Sequence, residues 1–266
     1  MTGKKSPLFI LFLFFCIGQV IADQVQSTEQ EEEKNKGRIG ASLGYSFIGY
    51  RDETDIPVNR YLNGFSFLVN GDTNKDNYIY SYNLAVFNGS ANVIEIQTSD
   101  DYYRVYQRGA GFVRVNLENS ISYRMWGTDT FPGYFGGALR GDIYFVHLIQ
   151  TYYYNFTVMV SLNAHVTQKW IISDNSELVF SVSLPFLGYA VRPPYYGLFY
   201  SSFDIENGIT SFHNYQAVFA DSKYYFKINT RFSVCSGFGF DFSHINFPQA
   251  RNDIMFRMNA GIMYVY

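Results

Sequence analysis

The feature that most constrains this chain is an alternation of apolar and polar residues with a period of two, which begins at Arg38 and continues to the last residue. In one segment, for example, Val113, Val115 and Leu117 alternate with Arg114 and Asn116. Successive side chains of a β-strand point to opposite faces, so this pattern predicts strands with one apolar and one polar face. The clearest such segments are 38–47, 77–86, 112–126, 152–166 and 223–234.

Several of these segments are longer than the strands of soluble proteins. The segments 112–126 and 152–166 exceed the usual strand of about 5–6 residues. A tilted strand needs about 9–11 residues to cross a bilayer. Aromatic residues, almost all of them Tyr or Phe, make up 20% of the chain, and such residues suit the two boundaries between a membrane and water. We therefore predict an all-β, transmembrane, up-and-down antiparallel barrel; a periplasmic or extracellular β-sandwich is the alternative.

Clusters of turn-forming residues divide the alternating pattern. Short turns are predicted at Asn70–Asp72, Asn88–Ser90, Ser99–Asp101, Ser173–Asn175 and Asp221–Ser222, and longer connections at 51–59, 127–137, 191–207 and 245–252. This division predicts about 12 strands, and a count of 10 is also compatible with it. Pro185 interrupts an apolar segment and predicts a bulge or a strand end, because proline cannot donate to the strand ladder.

The last residues form an amphipathic strand that ends in an aromatic residue. Its apolar positions are Ile254, Phe256, Met258, Ala260, Ile262, Tyr264 and Tyr266. This ending resembles the C-terminal signature of Gram-negative outer-membrane β-barrel proteins, and no narrower family is indicated. The resemblance implies a location in the outer membrane, contact with outer-membrane lipid, and recognition of the strand ending at Tyr266 by the barrel assembly machinery.

The N-terminal residues predict a processed segment and a leader. Residues 1–22 combine Lys4 and Lys5 with a short apolar run and a small-residue cleavage site, which is typical of a signal peptide cleaved near Ala22. A membrane anchor is the alternative, but the apolar run is shorter than the roughly 20 residues that a spanning helix needs. Residues 23–37 are polar and acidic and predict a disordered leader. Residues 38–266 are then the barrel.

The polar faces of the strands suggest what the barrel does. If the apolar faces meet lipid, the basic residues on the opposite parity line the lumen: Arg114, Arg124, Arg140, Lys223, Lys227, Arg231 and Arg257. Only three acidic residues share these faces: Glu118, Asp142 and Asp253. An excess of basic charge predicts a narrow, porin-like channel for small anionic solutes.

Two other functions remain open on the same residues. If the basic residues pair with the acidic ones, the interior is plugged, and the chain is a non-conducting structural or surface-binding barrel. Its active parts are then the loops 127–137 and 191–207, and Tyr195 and Tyr196 are the candidates for binding a partner. The alternative, which we favour for these two tyrosines, is a place in the aromatic girdle at the membrane interface.

The third possibility is an enzyme that acts on envelope lipid, with Ser211 and His213 side by side on one strand. We favour the interpretation that both are hydrogen-bonded polar residues near a strand end, and we expect no enzymatic activity. The four histidines have no metal-ligand spacing, so neither a metal nor a cofactor is expected. The net charge of −3 argues against a nucleic-acid partner.

Overall fold

Eleven antiparallel β-strands make up the described part of the chain. The computed structural model describes residues 37–52, 60–75, 77–91, 110–148, 153–192, 206–247 and 250–266. The predicted signal peptide 1–22 and all of the predicted leader except Gly37 lie outside them. The strands are β1 Gly37–Asp52, β2 Arg60–Lys75, β3 Tyr78–Ala91, β4 Ala110–Trp126, β5 Gly133–Leu148, β6 Tyr153–Ser173, β7 Ser176–Arg192, β8 Glu206–Ser211, β9 Tyr215–Lys227, β10 Phe232–Asn246 and β11 Ala250–Val265.

Ten of these strands close into a ring. Neighbours in sequence pair with each other from β1 to β7, then β7 pairs with β9, β9 with β10, and β10 with β11. The ring closes between β1 and β11, from Arg38 opposite Val265 to Asp52 opposite Arg251. Closure satisfies the backbone of every wall strand without leaving a sheet edge, which is the condition for crossing a bilayer with strands. The prediction of an antiparallel barrel is confirmed, with the lower of the two strand counts in the ring.

The strand count is lower because several predicted turns lie inside strands. Asn70–Asp72, Asn88–Ser90 and Asp221–Ser222 belong to β2, β3 and β9, so these three turn predictions are wrong. Their backbones are held by pairing on both sides; Asp221, for example, lies opposite Ser181 and Gly239. Pairing with distant strands outweighs local turn preference here. The predicted turn at 173–175 is confirmed, because β6 ends at Ser173 and β7 begins at Ser176. The predicted turn at Ser99–Asp101 lies outside the described residues.

Strand β7 has two partners on one side. Its first half, Ser176–Ser183, pairs with β9, and its second half, Leu187–Arg192, pairs with β8. Residues 212–214 form a turn between β8 and β9. The two strands therefore occupy a single strand position in the wall, which this turn interrupts. Pro185 lies beside this interruption, where the register between β6 and β7 also shifts. The predicted bulge at Pro185 is confirmed, and the reason is its missing N–H donor.

The two ends of the barrel differ in their connections. One end, here called the turn end, carries Gly37, Tyr266 and the short connections 76–77, 127–132, 174–175 and 228–231. The opposite end, the loop end, carries the connections 53–59, 92–109, 149–152, 193–205 and 247–249. The predicted long connections 127–137 and 245–252 are thus shorter than expected, because β5 begins at Gly133 and β10 extends to Asn246. In outer-membrane barrels the short turns face the periplasm and the longer loops face outward.

The outer wall of the barrel is apolar. Large apolar side chains point outward and are exposed, among them Leu43 (71%), Phe65 (75%) and Ile262 (59%). The opposite parity is buried inside and carries most of the polar residues, as the alternation predicts. Among the described residues, no helix is long and apolar enough to cross a bilayer.

Candidate functional site: the barrel interior

A network of buried ion pairs occupies the middle of the barrel. The Arg114 guanidinium on β4 lies 3.0 Å from Asp142, 3.1 Å from Asp241 and 3.7 Å from Asp253. These four side chains are each at most 2% exposed. Charges so far from water require partners at this distance, because an unpaired buried charge is very costly.

Three more arginines extend this network, which we call the ion network. Arg140 pairs with Glu118 at 3.1 Å, with Asp142 at 2.8 Å and with Asp241 at 3.1 Å. Arg257 lies 3.2 Å from both Asp241 and Asp221, and Arg251 lies 3.3 Å from Asp253. Its members are Arg114, Arg140, Arg251, Arg257, Glu118, Asp142, Asp221, Asp241 and Asp253.

The ion network joins opposite walls of the barrel. Strands β4 and β10 are five positions apart in either direction around the ring of ten, so the pair Arg114–Asp241 crosses the full lumen. Strands β5 and β11 are also opposite each other, and the Tyr144 hydroxyl donates to Asp253 at 3.5 Å. Side chains from facing walls therefore meet at this level, and the cross-section is filled.

Apolar side chains fill the interior on the loop-end side of the ion network. One cluster consists of Ile48, Tyr50, Leu62, Phe87, Phe112, Tyr144, Val146 and Met255, and a second of Met159, Ala190, Tyr215, Ala217, Phe219 and Ile245. The guanidinium of Arg140 lies 3.5 Å from the centre of the Phe219 ring, and that of Arg251 lies 3.6 Å from the centre of the Tyr144 ring. These stacked contacts place the arginines against a dry aromatic layer.

A polar cavity lies on the turn-end side of the ion network. It has a volume of about 60 Å³, room for a few water molecules, and its lining includes Asn83, Glu118, His165, Asp221 and Lys223. Ser183 Oγ lies 2.7 Å from His165 Nδ1 and donates to Glu118 at 3.2 Å. Ser183 thus links His165 and Glu118, two of the residues that line the cavity.

A second set of polar contacts closes the interior towards the turn end. Arg38 pairs with Asp72 at 2.8 Å and with Glu177 from the facing side, and its guanidinium lies 3.5 Å from the centre of the Tyr225 ring. The Lys169 ammonium donates to Asn74 at 2.6 Å. The described interior is therefore crossed by side-chain contacts on both sides of the cavity.

The structure divides the seven predicted lumen residues into two groups. Arg114, Arg140 and Arg257 are buried members of the ion network, and Lys223 lines the polar cavity. The prediction that Arg124, Lys227 and Arg231 line the lumen is wrong, because these residues lie at the turn end.

Those three residues lie at the turn end, because β4 and β9 terminate at Trp126 and Lys227. Arg124 pairs with the exposed Asp129 at 2.9 Å, and the Lys227 ammonium donates to the Asp174 carbonyl at 2.8 Å. Arg231 is exposed in the turn before β10. The apolar and polar alternation of the sequence continues beyond the level at which inward-facing side chains are buried, and this is why it predicted a lumen position for these three residues.

Sequence reasoning missed several interior charges. Asp241, Asp221 and Arg251 face inward within the ion network, which holds four arginines and five carboxylates. The predicted excess of basic charge is therefore absent at this level of the described interior. The parity of β10 would have revealed Asp241, since it shares a face with the buried Cys235 and Ser243.

The remaining predicted candidates lie outside this interior. Ser211 ends β8 and His213 lies in the turn 212–214, so the two do not share a strand. Tyr195 and Tyr196 fall outside the described residues. Among the described residues, no group of three His, Cys, Asp or Glu side chains is placed to hold a metal ion.

Comparisons with known proteins identify the class of fold. No family model matches the chain, and no curated protein matches it. The outer membrane protease OmpT from Escherichia coli is similar in structure, with a TM-score of 0.51 at 6% identity over 91% of this chain and 99% of that one. Neisserial surface protein A gives a TM-score of 0.39 at 8% identity over 86% and 96% of the two chains, and the Pseudomonas putida toluene transporter TodX gives 0.32 at 8% identity over 88% and 90%.

The likeness to OmpT extends over almost the whole of both chains, and at this identity it concerns the fold alone. Together with the closed ring and the apolar outer wall, it establishes that this chain has the fold of the Gram-negative outer-membrane β-barrels.

Proposed function

We propose that this chain is a non-conducting outer-membrane barrel, a filled scaffold that presents the connections at its loop end to the outside. The observation that carries the proposal is the pair Arg114–Asp241, 3.1 Å apart, formed between opposite walls. A solute that moved along the lumen would have to separate these two groups.

The energetics of the ion network support a closed interior. Arg114, Arg140 and Asp241 each have at least three charged partners, and all three are at most 2% exposed. Removing one partner from a buried pair costs about 3–5 kcal/mol, because the other charge is stranded away from water. Opening a path would strand several charges at once, so the side chains act as a permanent plug.

The outer surface and the ends support the location and the partners. The exposed apolar wall suits direct contact with outer-membrane lipid. The longest connections, 92–109 and 193–205, emerge at the loop end, which we place on the outer face of the membrane. We also propose that the final strand, ending at Tyr266, is recognised by the barrel assembly machinery.

Conductance in planar bilayers tests the closed interior against the predicted anion channel. We expect the refolded chain to show no discrete current steps. The variant Arg114→Ala/Asp241→Ala removes the contact across the lumen, and we expect it to show small steps. The matched control, Arg124→Ala/Asp129→Ala, removes an ion pair at the exposed turn end and is expected to remain silent.

Two results would overturn this proposal. Steps in the unmodified protein with an anion-directed reversal potential would restore the channel for small anionic solutes. Equal, large conductance in the unmodified protein and in the Arg114→Ala/Asp241→Ala variant would show that the ion network does not close the lumen.

We further propose that the chain is not an enzyme. The placement of Ser211 at a strand end and of His213 in the following turn supports this, because a nucleophile and its base need a fixed hydrogen-bonding geometry. Hydrolysis of phospholipid by the refolded protein that is lost in both Ser211→Ala and His213→Ala would contradict it.

A further inference from the structure

A single amide interrupts the apolar outer face of β4. Asn119 lies near the middle of this strand, between Leu117 and Ile121 on the same face. It points outward, because its two chain neighbours, Glu118 and Ser120, line the polar cavity inside the barrel. The apolar face of β4 is therefore broken at a depth where hydrocarbon surrounds a membrane barrel.

The carboxamide of Asn119 has one hydrogen-bond partner on the outer wall. The Tyr80 hydroxyl donates to Asn119 Oδ1 at 3.0 Å, and the part of the chain that the structure describes offers this side chain no other hydrogen bond. A carboxamide carries two N–H donors, and one hydroxyl satisfies at most one of them even if the oxygen and nitrogen positions are exchanged. At least one N–H of the Asn119 side chain therefore lacks an acceptor within the described wall.

Lipid does not supply the missing acceptor at this depth. Acyl chains have no hydrogen-bonding groups, so an unpaired N–H in the hydrocarbon region of a membrane is costly. Within membranes, polar side chains of this kind form hydrogen bonds to a neighbouring protein, and small residues beside them allow the two backbones to approach closely. A neighbouring protein is therefore the source from which Asn119 can obtain an acceptor.

The wall beside Asn119 leaves space for a neighbour. Leu139 of β5 lies opposite Asn119, and the outward positions on either side of Leu139 are Gly137 and Gly141. A Cβ atom at Gly141 would meet nothing within 4 Å, and one at Gly137 would meet only the Asn163 carbonyl oxygen, at 3.8 Å. The outer wall is therefore recessed on both sides of Leu139. We call this area the recessed face: Asn119, Gly137, Leu139 and Gly141.

We propose that the recessed face is the interface between two copies of this chain in the membrane. Both copies are inserted in the same orientation, so a twofold axis along the membrane normal keeps every residue at its own depth. Asn119 of one copy then meets Asn119 of the other, and each carboxamide offers the N–H donor and the oxygen acceptor that the other needs. A different protein would need a matching polar group at the same depth, whereas a second copy supplies one by symmetry. The inference rests on the outer-membrane location in the proposed function and is independent of whether the lumen is closed.

Disulfide cross-linking of the full chain in lipid vesicles tests the position of the interface. Replacing the two native cysteines, Cys16→Ser/Cys235→Ser, gives a background without other thiols. In this background we expect mild oxidation to convert most of the Asn119→Cys variant into a linked dimer. The matched control is Ser236→Cys, at an exposed outward position on β10, the strand opposite β4 in the ring, and we expect it to remain monomeric.

Energy transfer between labelled copies at increasing lipid dilution measures the strength of the dimer. Asn119→Leu keeps the size of the side chain and removes the amide, and Gly141→Val fills part of the recess. We expect each to weaken the dimer by about fivefold or more. Gly141→Val should fold normally, because its added Cβ meets nothing within 4 Å. Ser236→Leu, on the opposite wall, should leave the dimer unchanged.

The readouts separate the possible failures, and a heat-modifiable gel band shows that each variant is folded. Equal cross-linking of Asn119→Cys and Ser236→Cys would indicate random collision and overturn the proposal. A chain that stays monomeric at every lipid dilution, or unchanged association in either Asn119→Leu or Gly141→Val, would also overturn it. Failure of the unmodified chain to insert into vesicles would overturn the outer-membrane location and this inference with it. Conductance tests the closed lumen separately, so that proposal fails in a different experiment.

Discussion

At the scale of single residues, Asp241 is the side chain on which the interior most depends. Its carboxylate pairs with Arg114 and Arg140 at 3.1 Å and with Arg257 at 3.2 Å, and it is at most 1% exposed. One carboxylate thus compensates part of three buried positive charges from β4, β5 and β11. Its removal is therefore expected to destabilise the ion network.

The substitution Asp241→Asn keeps the shape of the side chain and removes its charge. We expect the free energy of unfolding to fall by about 3–5 kcal/mol, because the three arginines lose a buried counter-charge. The measurement is guanidinium-induced unfolding of the barrel in lipid vesicles. Asp129→Asn is the control: this carboxylate is 95% exposed in its pair with Arg124, and such pairs contribute at most about 1 kcal/mol. Equal midpoints for Asp241→Asn and the unmodified protein would contradict the role of the ion network.

At the scale of elements, β11 is the strand that closes the barrel. It pairs along its length with β10 on one side and β1 on the other. Just beyond it, the Gly37 N–H donates to the Tyr266 carbonyl at 3.0 Å and the Tyr266 N–H donates to the Gly37 carbonyl at 2.9 Å. The backbone of Tyr266 therefore completes the ring, and its aromatic side chain lies on the outer wall, 54% exposed.

The substitution Tyr266→Ala separates these two contributions of the last residue. The backbone hydrogen bonds to Gly37 remain, so we expect spontaneous folding in detergent to be unchanged. Insertion into membranes by purified assembly machinery should slow several-fold, because the substitution removes the aromatic terminus that we propose as the recognition signal. Comparing both rates on heat-modifiable gels is the measurement. Tyr264→Ala is the control for the loss of an aromatic ring, because Tyr264 lies two residues earlier on the same face of the strand. Unchanged assisted insertion would remove Tyr266 from the proposed signal.

At the scale of the whole molecule, the barrel distributes apolar and charged residues in the opposite way to a soluble protein. Its large apolar residues face outward, and its charges are paired inside. This arrangement suits surroundings of hydrocarbon, where the outward residues contact acyl chains and the inward charges pair with each other. The depth of each outward position in the membrane then decides which substitutions it tolerates.

Leu43→Arg and Ile39→Arg test the orientation and depth of the barrel in the membrane. Both residues face outward on β1, Leu43 near its middle and Ile39 near the turn end. We expect Leu43→Arg to lower the free energy of unfolding in lipid by about 2–4 kcal/mol, since a charge then lies near the bilayer midplane. Ile39→Arg lies near the interface and should lower it by about 1 kcal/mol or less. Equal losses at both positions, measured in vesicles, would show that β1 does not span the membrane as proposed.

The class of the fold and the apolar and polar faces of its wall could be predicted from the sequence alone. Alternation with a period of two is a local property, so it can be followed along each strand without knowledge of its neighbours. It correctly predicted that Leu43 and Ile262 face outward and that Arg114, Arg140 and Arg257 face inward. Pro185 correctly predicted the bulge in β7, because the lack of an N–H donor is a property of that single residue and needs no knowledge of its neighbours.

The number of strands and the filling of the interior depend on contacts between distant strands, so they could not be read from local patterns. Turn-forming residues such as Asn70 and Asp221 remain in strands because their partners in the ring hold them there. Which charges meet inside depends on the stagger of the strands around the closed ring, and no local pattern encodes it. Arg140 and Asp241, 101 residues apart in the chain, meet only because closure brings β5 and β10 across the lumen from each other. The sequence predicted both basic and acidic residues on the inner face, Asp142 and Asp253 among them, whereas only the closed ring showed that Asp241 joins them and that these charges pair across the lumen.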